Sequence, residues 1–450
     1  MEGSNRLAKL SIKEKSGYAM GDFGFNLYWA SMSSFLAVFY TDIFGIPAAA
    51  AATMFFVTKL IDAMTDPIMG AVADRTRSRW GKFRPYLLFA GVPMAGSAVL
   101  TFTTPDLNET GKVIYAYITY SLMMVFYTIL STPYSSLSGV MTAEPQERNQ
   151  LVSFRFIAAF LGTAFVNYYT LPLVKYLGGD DEALGWQLTM GLYGIIAAIA
   201  FYITFLTTKE RITPPQNQNT SPLEDIKDLL GNKPWLILIV LALVIMMTIT
   251  LRAGSSYYFL KYYIEMEELI PAYLSFQAIA LGVGAAATPL LTKLLDKKNL
   301  LAVLMLLVCV LSIGLYFVPK ENITLIFTFN ILISLALGPK SPLAWSMYAD
   351  AADYNEWRTG RRATAMTFSA ATFSQKLGGA MGSALMLAVL ASIGYVAREA
   401  QSGASQDGIA MLQTIYPGVI AFIAAIIILF YPLNNKKLEQ IQHELSVKSA

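Results

Sequence analysis

Long apolar runs alternate with short polar and basic stretches along the whole chain. Runs of at least about 18 apolar residues mark bilayer-spanning helices. The pattern predicts twelve: 22–45, 48–73, 85–104, 113–141, 151–175, 186–207, 235–263, 271–292, 300–318, 322–348, 363–394 and 409–432. They are numbered here as spans 1 to 12. Lys and Arg between the spans set their orientation. With the N-terminus inside, the cytoplasmic stretches hold Arg6, Lys9, Lys13 and Lys15, the basic run from Arg75 to Arg84, and the basic residues around the central linker and after spans 8, 10 and 12. The external loops hold Lys112, Lys175, Lys320 and Arg398. That asymmetry predicts both termini on the cytoplasmic side.

The spans fall into two sets of six. Residues 1–208 form an N-terminal bundle and residues 235–433 a C-terminal one, joined by a polar cytoplasmic linker, 209–234, and followed by a cytoplasmic tail, 434–450. The halves echo each other. Asp74-Arg75 follows span 2 as Asp296-Lys297 follows span 8, and the charged stretch after span 4 (Glu144 to Arg148) has its counterpart after span 10 (Asp350 to Arg362). The predicted fold class is an all-α membrane protein with twelve transmembrane helices in two six-helix halves. It resembles the parallel repeats of the major facilitator fold.

Composition agrees with a membrane protein. Of 450 residues 55% are hydrophobic and 14% charged, where soluble domains carry about 25% charged. A single Cys, Cys309, excludes a disulfide framework or a thiolate metal site, and a single His, His443 in the polar tail, excludes His-based chemistry within the membrane. No Gly-rich phosphate loop is present, so an enzyme is not expected, nor is a cofactor or a nucleic-acid partner. The polar, basic N-terminus and the length of the first apolar run do not read as a cleavable signal.

The most informative positions are Lys59, Asp62 and Asp66 in span 2. Their spacing of i, i+3 and i+7 puts all three on one helical stripe. Each charge at bilayer depth costs about 2.5–3.5 kcal/mol, so such residues face partners or water inside a bundle and mark ion or proton handling. A structural ion pair of Lys59 with either aspartate is the plainer alternative. Pro67 cannot donate to the Ala63 carbonyl, which frees an oxygen beside Asp62. Two carboxylates with neighbouring oxygens suit a hard monovalent cation such as Na+, or can share a proton.

Three segments carry a family resemblance: Gly17 to Leu27 (GYAMGDFGFNL), Asp62-Ala63-Met64-Thr65-Asp66-Pro67 running on to Arg77-Ser78-Arg79-Trp80-Gly81-Lys82-Phe83-Arg84-Pro85, and Ala349 to Glu356 (ADAADYNE) with Lys376. Together they resemble the glycoside–pentoside–hexuronide:cation symporter family over essentially the whole chain. The resemblance implies cation-coupled import of a sugar, glycoside or uronide by alternating access. It implies that Asp62 and Asp66 bind the coupling cation, Na+ or H+, that Tyr127 and Thr128 of span 4 lie at the sugar and cation sites, and that Lys376 is the family's span-11 lysine. Two departures stand out against the melibiose permease, the best-known member. Phe25-Asn26 replaces a Lys-Asp pair, and Ser131 and Ser135 replace an Asp and a Trp. They speak against melibiose as substrate and remove one carboxylate from the cation site.

A substrate surface is legible beside this site. Asp22, Asn26, Trp29 and Ser33 share one face of span 1, and Thr128, Ser131, Thr132 and Ser135 one face of span 4. Hydrogen-bonding groups with an aromatic plane suit a sugar; helix packing is the competing reading. Asp62, Lys376 and Thr128 all lie in the middle third of the membrane, the first two about 18 and 21 Å from the cytoplasmic ends of their helices. Arg155 and Lys261 lie close enough to helix ends to snorkel, whereas Arg252 and Lys340 lie deeper and point to an acidic substrate. Lys59, Asp74, Arg75, Arg84, Asp350, Asp353 and Arg361 are expected to form a gating charge network. The expected protein is a monomeric symporter of the bacterial inner membrane, surrounded by lipid. An uncoupled facilitator or, at a greater remove, a lysolipid carrier are the alternatives.

Overall fold

The computed structural model describes residues 9–142, 145–211, 229–360 and 364–449. They are helical throughout, with helices at all twelve predicted spans. Nine segments among the described residues are long and apolar enough to cross a membrane by themselves. Spans 1, 3 and 11 fall short of that measure. Span 1 carries Asp22, Asn26 and a row of serines, span 3 is broken at Ala90 into Arg84–Phe89 and Gly91–Thr101, and span 11 carries Gln375 and Lys376.

Several boundaries differ from the hydropathy pattern, each for a local reason. Span 1 begins at Ile12 because Ser11 caps it: the Ser11 hydroxyl accepts from the Glu14 N–H, and the Glu14 carboxylate accepts from the Ser11 N–H. This capping box is a polar signal that an apolar scan passes over. Span 10 divides into Ile323–Leu337 and Lys340–Thr359 around Gly338-Pro339, where proline has no N–H to continue the ladder. Span 12 divides at Thr414 into Gly403–Gln413 and Ile415–Leu429. The tail, expected only to be polar, forms a helix, Asn435–Ser449. It is tied down by Trp357, whose indole N–H donates to Glu444 at 2.6 Å.

Two compact units make up the chain. One comprises Met1–Gln216, Met266–Ile279 and Leu390–Gln401; the other comprises Asn217–Glu265, Ala280–Val389 and Ser402–Ala450. In the first, span 1 (Ile12–Ser34) packs on span 5 (Pro145–Gly178) and span 6 (Glu182–Thr207), and span 2 (Ala48–Arg75) on span 4 (Glu109–Met141). In the second, span 12 packs on span 7 (Lys233–Tyr258) and span 9 (Lys297–Tyr316). Small residues permit the closest approaches. A Cβ at Gly378 of span 11 would lie 2.2 Å from the Leu243 carbonyl oxygen of span 7.

The C-terminal ends of spans 1 and 7 share an unusual feature. Each helix ends in a π turn, Phe39–Ile43 and Phe259–Tyr263. An i+5 bond closes each turn, Phe44 N–H to Phe39 C=O at 2.8 Å and Ile264 N–H to Phe259 C=O at 2.9 Å. A left-handed residue follows each turn, Gly45 at φ 74° and Glu265 at φ 61°.

Candidate functional site

Three oxygens from spans 2 and 4 converge in the first unit. The Thr128 hydroxyl donates to Asp62 Oδ1 at 2.8 Å and lies 3.3 Å from Asp66 Oδ1. The i, i+4 spacing of the aspartates puts both carboxyls on the side of span 2 that faces span 4, and Thr128 reaches them from there. Asp62 is 1% exposed and Thr128 equally buried; Asp66 is half-buried. Thr65 donates to the Asp62 backbone carbonyl at 2.8 Å. A buried, oxygen-rich donor set of this kind fits a hard monovalent cation or a shared proton.

The third member of the stripe, Lys59, also meets an aromatic ring and a thioether. The Lys59 ammonium stands 4.8 Å above the centre of the Trp29 ring and 4.0 Å from Met124 Sδ. Trp29 in turn lies against Tyr127, ring centres 6.2 Å apart, and Tyr127 meets Phe25 edge-on at 5.4 Å. Trp29, Tyr127, Lys59, Asn26 and Ser131 are all half-buried, so the aromatic and polar groups expected of a sugar surface keep open area. Asn26 is also engaged structurally. Its amide donates to the Asp22 carbonyl at 2.8 Å and accepts from Thr163 of span 5 at 3.1 Å.

Asp22 anchors a second cluster. Arg155 of span 5 forms a two-pronged ion pair with it through Nε and Nη2, and Tyr134 of span 4 donates to its Oδ2 at 3.0 Å. Tyr134 stacks on Tyr18 with ring centres 4.6 Å apart, and the Arg155 guanidinium lies 5.0 Å from the Tyr134 ring centre. Arg155 therefore does not snorkel as its position near a helix end suggests. A carboxylate one helix away draws it inward, and sequence spacing within a single helix gives no sign of that pairing.

Arg252 is corrected in the same way. It is fully buried, donating to Asn330 Oδ1 at 3.0 Å and to the Gln413 carbonyl at 3.2 Å, so it joins spans 7, 10 and 12 instead of lining a cavity.

The chain matches the family described as MFS/sugar transport protein over residues 17–435. It is 37% identical over 439 residues to the inner membrane symporter YicJ of Escherichia coli (strain K12), covering 97% of this chain and 95% of that one. It is 36% identical over 440 residues to the putative glycoside/cation symporter YagG of the same organism, covering 98% and 96%. The chain belongs to the MFS/sugar transport family. Among solved structures, that of a D-xylose-proton symporter matches with a TM-score of 0.69 over 94% of this chain and 97% of that one, at 16% identity. That likeness shows the fold, the all-helical major facilitator architecture.

Membership makes the chain a multi-pass membrane transporter and not an enzyme. Apart from Lys59, the residues expected to gate it lie at or beyond the ends of the spans in both units. In the first, Glu210 accepts the backbone N–H groups of Lys82, Phe83 and Arg84 at 2.8, 2.8 and 3.1 Å, and Arg84 donates to the Phe205 carbonyl at 2.6 Å. Gly81, at φ 108°, makes room for that carboxylate: a Cβ there would lie 2.6 Å from Glu210 Oε1. Arg211 pairs with Glu14, and Lys15 pairs with Glu147 at 2.8 Å. Arg75 is exposed at the end of its helix, and the Asp74 side chain lies outside the described set. In the second unit Lys297 pairs with Asp350 at 2.6 Å, and Asp353 is half-buried. Arg361 lies outside the described residues, and Lys376 is half-buried in the second unit. Glu210 and Glu147, which hold these ends together, were not legible as partners because each acts across more than a hundred residues of sequence.

Proposed function

We propose that the protein is a cation-coupled symporter that imports a sugar or glycoside by alternating access across the bacterial inner membrane, both termini cytoplasmic. One observation carries this reading: the Thr128 hydroxyl within 3.3 Å of carboxylate oxygens from both Asp62 and Asp66. Two acids brought together at membrane depth favour a bound cation or a proton. Asp62, Asp66 and Thr128 hold the coupling ion, Na+ or H+. Asp22, Asn26, Trp29, Tyr127 and Ser131 form the substrate surface. Lys59, resting on Trp29, links the two, and the cytoplasmic pairs act as gates. One positive charge entering down 100 mV supplies about 2.3 kcal/mol, roughly fifty-fold accumulation. Similarity to a glycoside/cation symporter supports both the solute class and the coupling.

The test is uptake of labelled glycosides, pentosides and uronides into proteoliposomes under imposed Na+ or pH gradients. Accumulation above equilibrium that is lost in both Asp62→Asn and Asp66→Asn is expected. A second reading, an uncoupled facilitator, is favoured by Ser131, which puts a hydroxyl where a further carboxylate would strengthen the ion site. Equilibration of solute indifferent to either gradient would select it.

A further inference from the structure

The turn that joins span 2 to span 3 concentrates charge of one sign. Arg75, Arg77, Arg79, Lys82 and Arg84 follow one another closely, and no Asp or Glu occurs between Arg75 and Pro105. Glu210, a carboxylate docked on this turn, is taken up by the backbone N–H groups of Lys82, Phe83 and Arg84. Arg75, Arg77 and Arg79 are exposed and, among the described residues, none of the three forms an ion pair.

Local bonds fix how the turn is presented. The Ser78 hydroxyl donates to the Gly81 carbonyl at 2.7 Å and accepts from the Trp80 N–H at 3.1 Å. Trp80 meets Phe89 of span 3 edge-on, ring centres 5.4 Å apart, and the Arg79 guanidinium lies 4.1 Å from the centre of the Trp80 ring. Phe89 is exposed, and Val92 and Leu100 carry an exposed apolar side along the next helical segment, Gly91–Thr101. Gly96 stands midway between Val92 and Leu100 at four-residue spacing, on the same stripe. A Cβ there would meet nothing within 4 Å, so the stripe holds a notch.

An apolar stripe that runs up to an indole and then to guanidinium groups has the polarity profile of one membrane leaflet: chain, interface, phosphate. Guanidinium matches phosphate with paired N–H donors. A soluble anion would use the arginines and leave the stripe unexplained. A zwitterionic lipid brings its own cation and leaves the arginine charge uncompensated. We propose that this surface binds an anionic phospholipid, its phosphate on Arg77 and Arg79, its glycerol level beside Trp80 and one acyl chain along Val92, Gly96 and Leu100. The site belongs to the first unit alone and is independent of what the transporter carries.

The test uses full-length protein in vesicles of one part phosphatidylglycerol to three parts phosphatidylcholine, with bromine on the acyl chains of one lipid or the other. Bromine quenches a neighbouring indole, and the difference between wild type and Trp80→Phe isolates the Trp80 signal. Phosphatidylglycerol is expected at Trp80 in about tenfold preference over its share of the bilayer, the order set by two surface guanidinium groups. Arg77→Gln combined with Arg79→Gln is expected to abolish the preference, and each single variant to lower it about threefold. Thermal melting checks the fold, and the single variants carry the test should the double variant melt early. Equal occupancy by the two lipids in wild type, or a preference that survives the substitutions, overturns the proposal. Loss of the preference on adding millimolar inorganic phosphate at constant ionic strength also overturns it, because the arginines then serve a soluble anion.

Discussion

The Thr128 hydroxyl donates to Asp62 Oδ1 at 2.8 Å, joining span 4 to the acidic stripe of span 2. Thr128→Val removes an oxygen donor and leaves a buried carboxylate short of a partner, a loss of about 1–3 kcal/mol. Cation affinity, measured as ion-dependent stimulation of solute binding, is expected to fall about tenfold or more. Thr128→Ser keeps the hydroxyl and most of the affinity. Unchanged ion dependence in the valine variant would remove Thr128 from the site.

Breaking the Asp22–Arg155 pair from one side strands a charge. Asp22→Asn is expected to cost about 3 kcal/mol, the lower end for a broken buried pair, since the Arg155 side chain keeps 27% exposure. Thermal unfolding in detergent reads the loss. Asp22→Asn with Arg155→Gln restores part of it if the cost is the unpaired guanidinium.

Gly81→Ala forces a left-handed residue and a Cβ into the space of Glu210 Oε1. Backbone strain of this kind costs about 1–3 kcal/mol, and the clamp on the Lys82–Arg84 backbone is lost with it. Glu210→Ala removes the same clamp. Melting temperatures of the two single variants and the double variant are therefore expected to be less than additive.

Acid sensitivity follows from two carboxyls near the helix ends. The Lys15 ammonium and the Leu10 N–H hold the Glu147 carboxyl below its ordinary value of 4.5. Glu14 is also lowered: burial works to raise it, and the Ser11 N–H and the Arg211 guanidinium outweigh burial. A depressed carboxyl contributes stability that is present above its unfolded value and lost as pH falls through the folded one. Melting temperature is thus expected to hold from pH 8 to about 5 and to decline below about 4.5. Glu147→Gln is expected to melt lower at neutral pH and to decline less steeply in acid.

Apolar run length was enough to place a helix at every predicted span, and the stripe of Lys59, Asp62 and Asp66 was enough to single out the two neighbouring carboxyls, because both signals are local to one helix. The interruptions at Ala90, Gly338-Pro339 and Thr414 were hidden by continuous hydropathy, although proline marks one of them. Partners on other helices were beyond reach. Nothing near Arg155 in sequence announces Asp22, and nothing near Arg252 announces Asn330. That the Lys59 ammonium stands over Trp29 was likewise beyond reach, a neighbour only the packing of span 1 provides.

The paired π turns after Val38 and Tyr258 tie the two halves of the chain to one backbone pattern. A π turn is one residue more than an α-helix needs, absorbed without disturbing the helix on either side. Both repeats carry that extra residue at the matching place, followed by the same left-handed exit. The first helix of each six-span half therefore ends on the same backbone device, although one exit is a glycine, free to adopt a left-handed φ, and the other a glutamate that bears the strain of it.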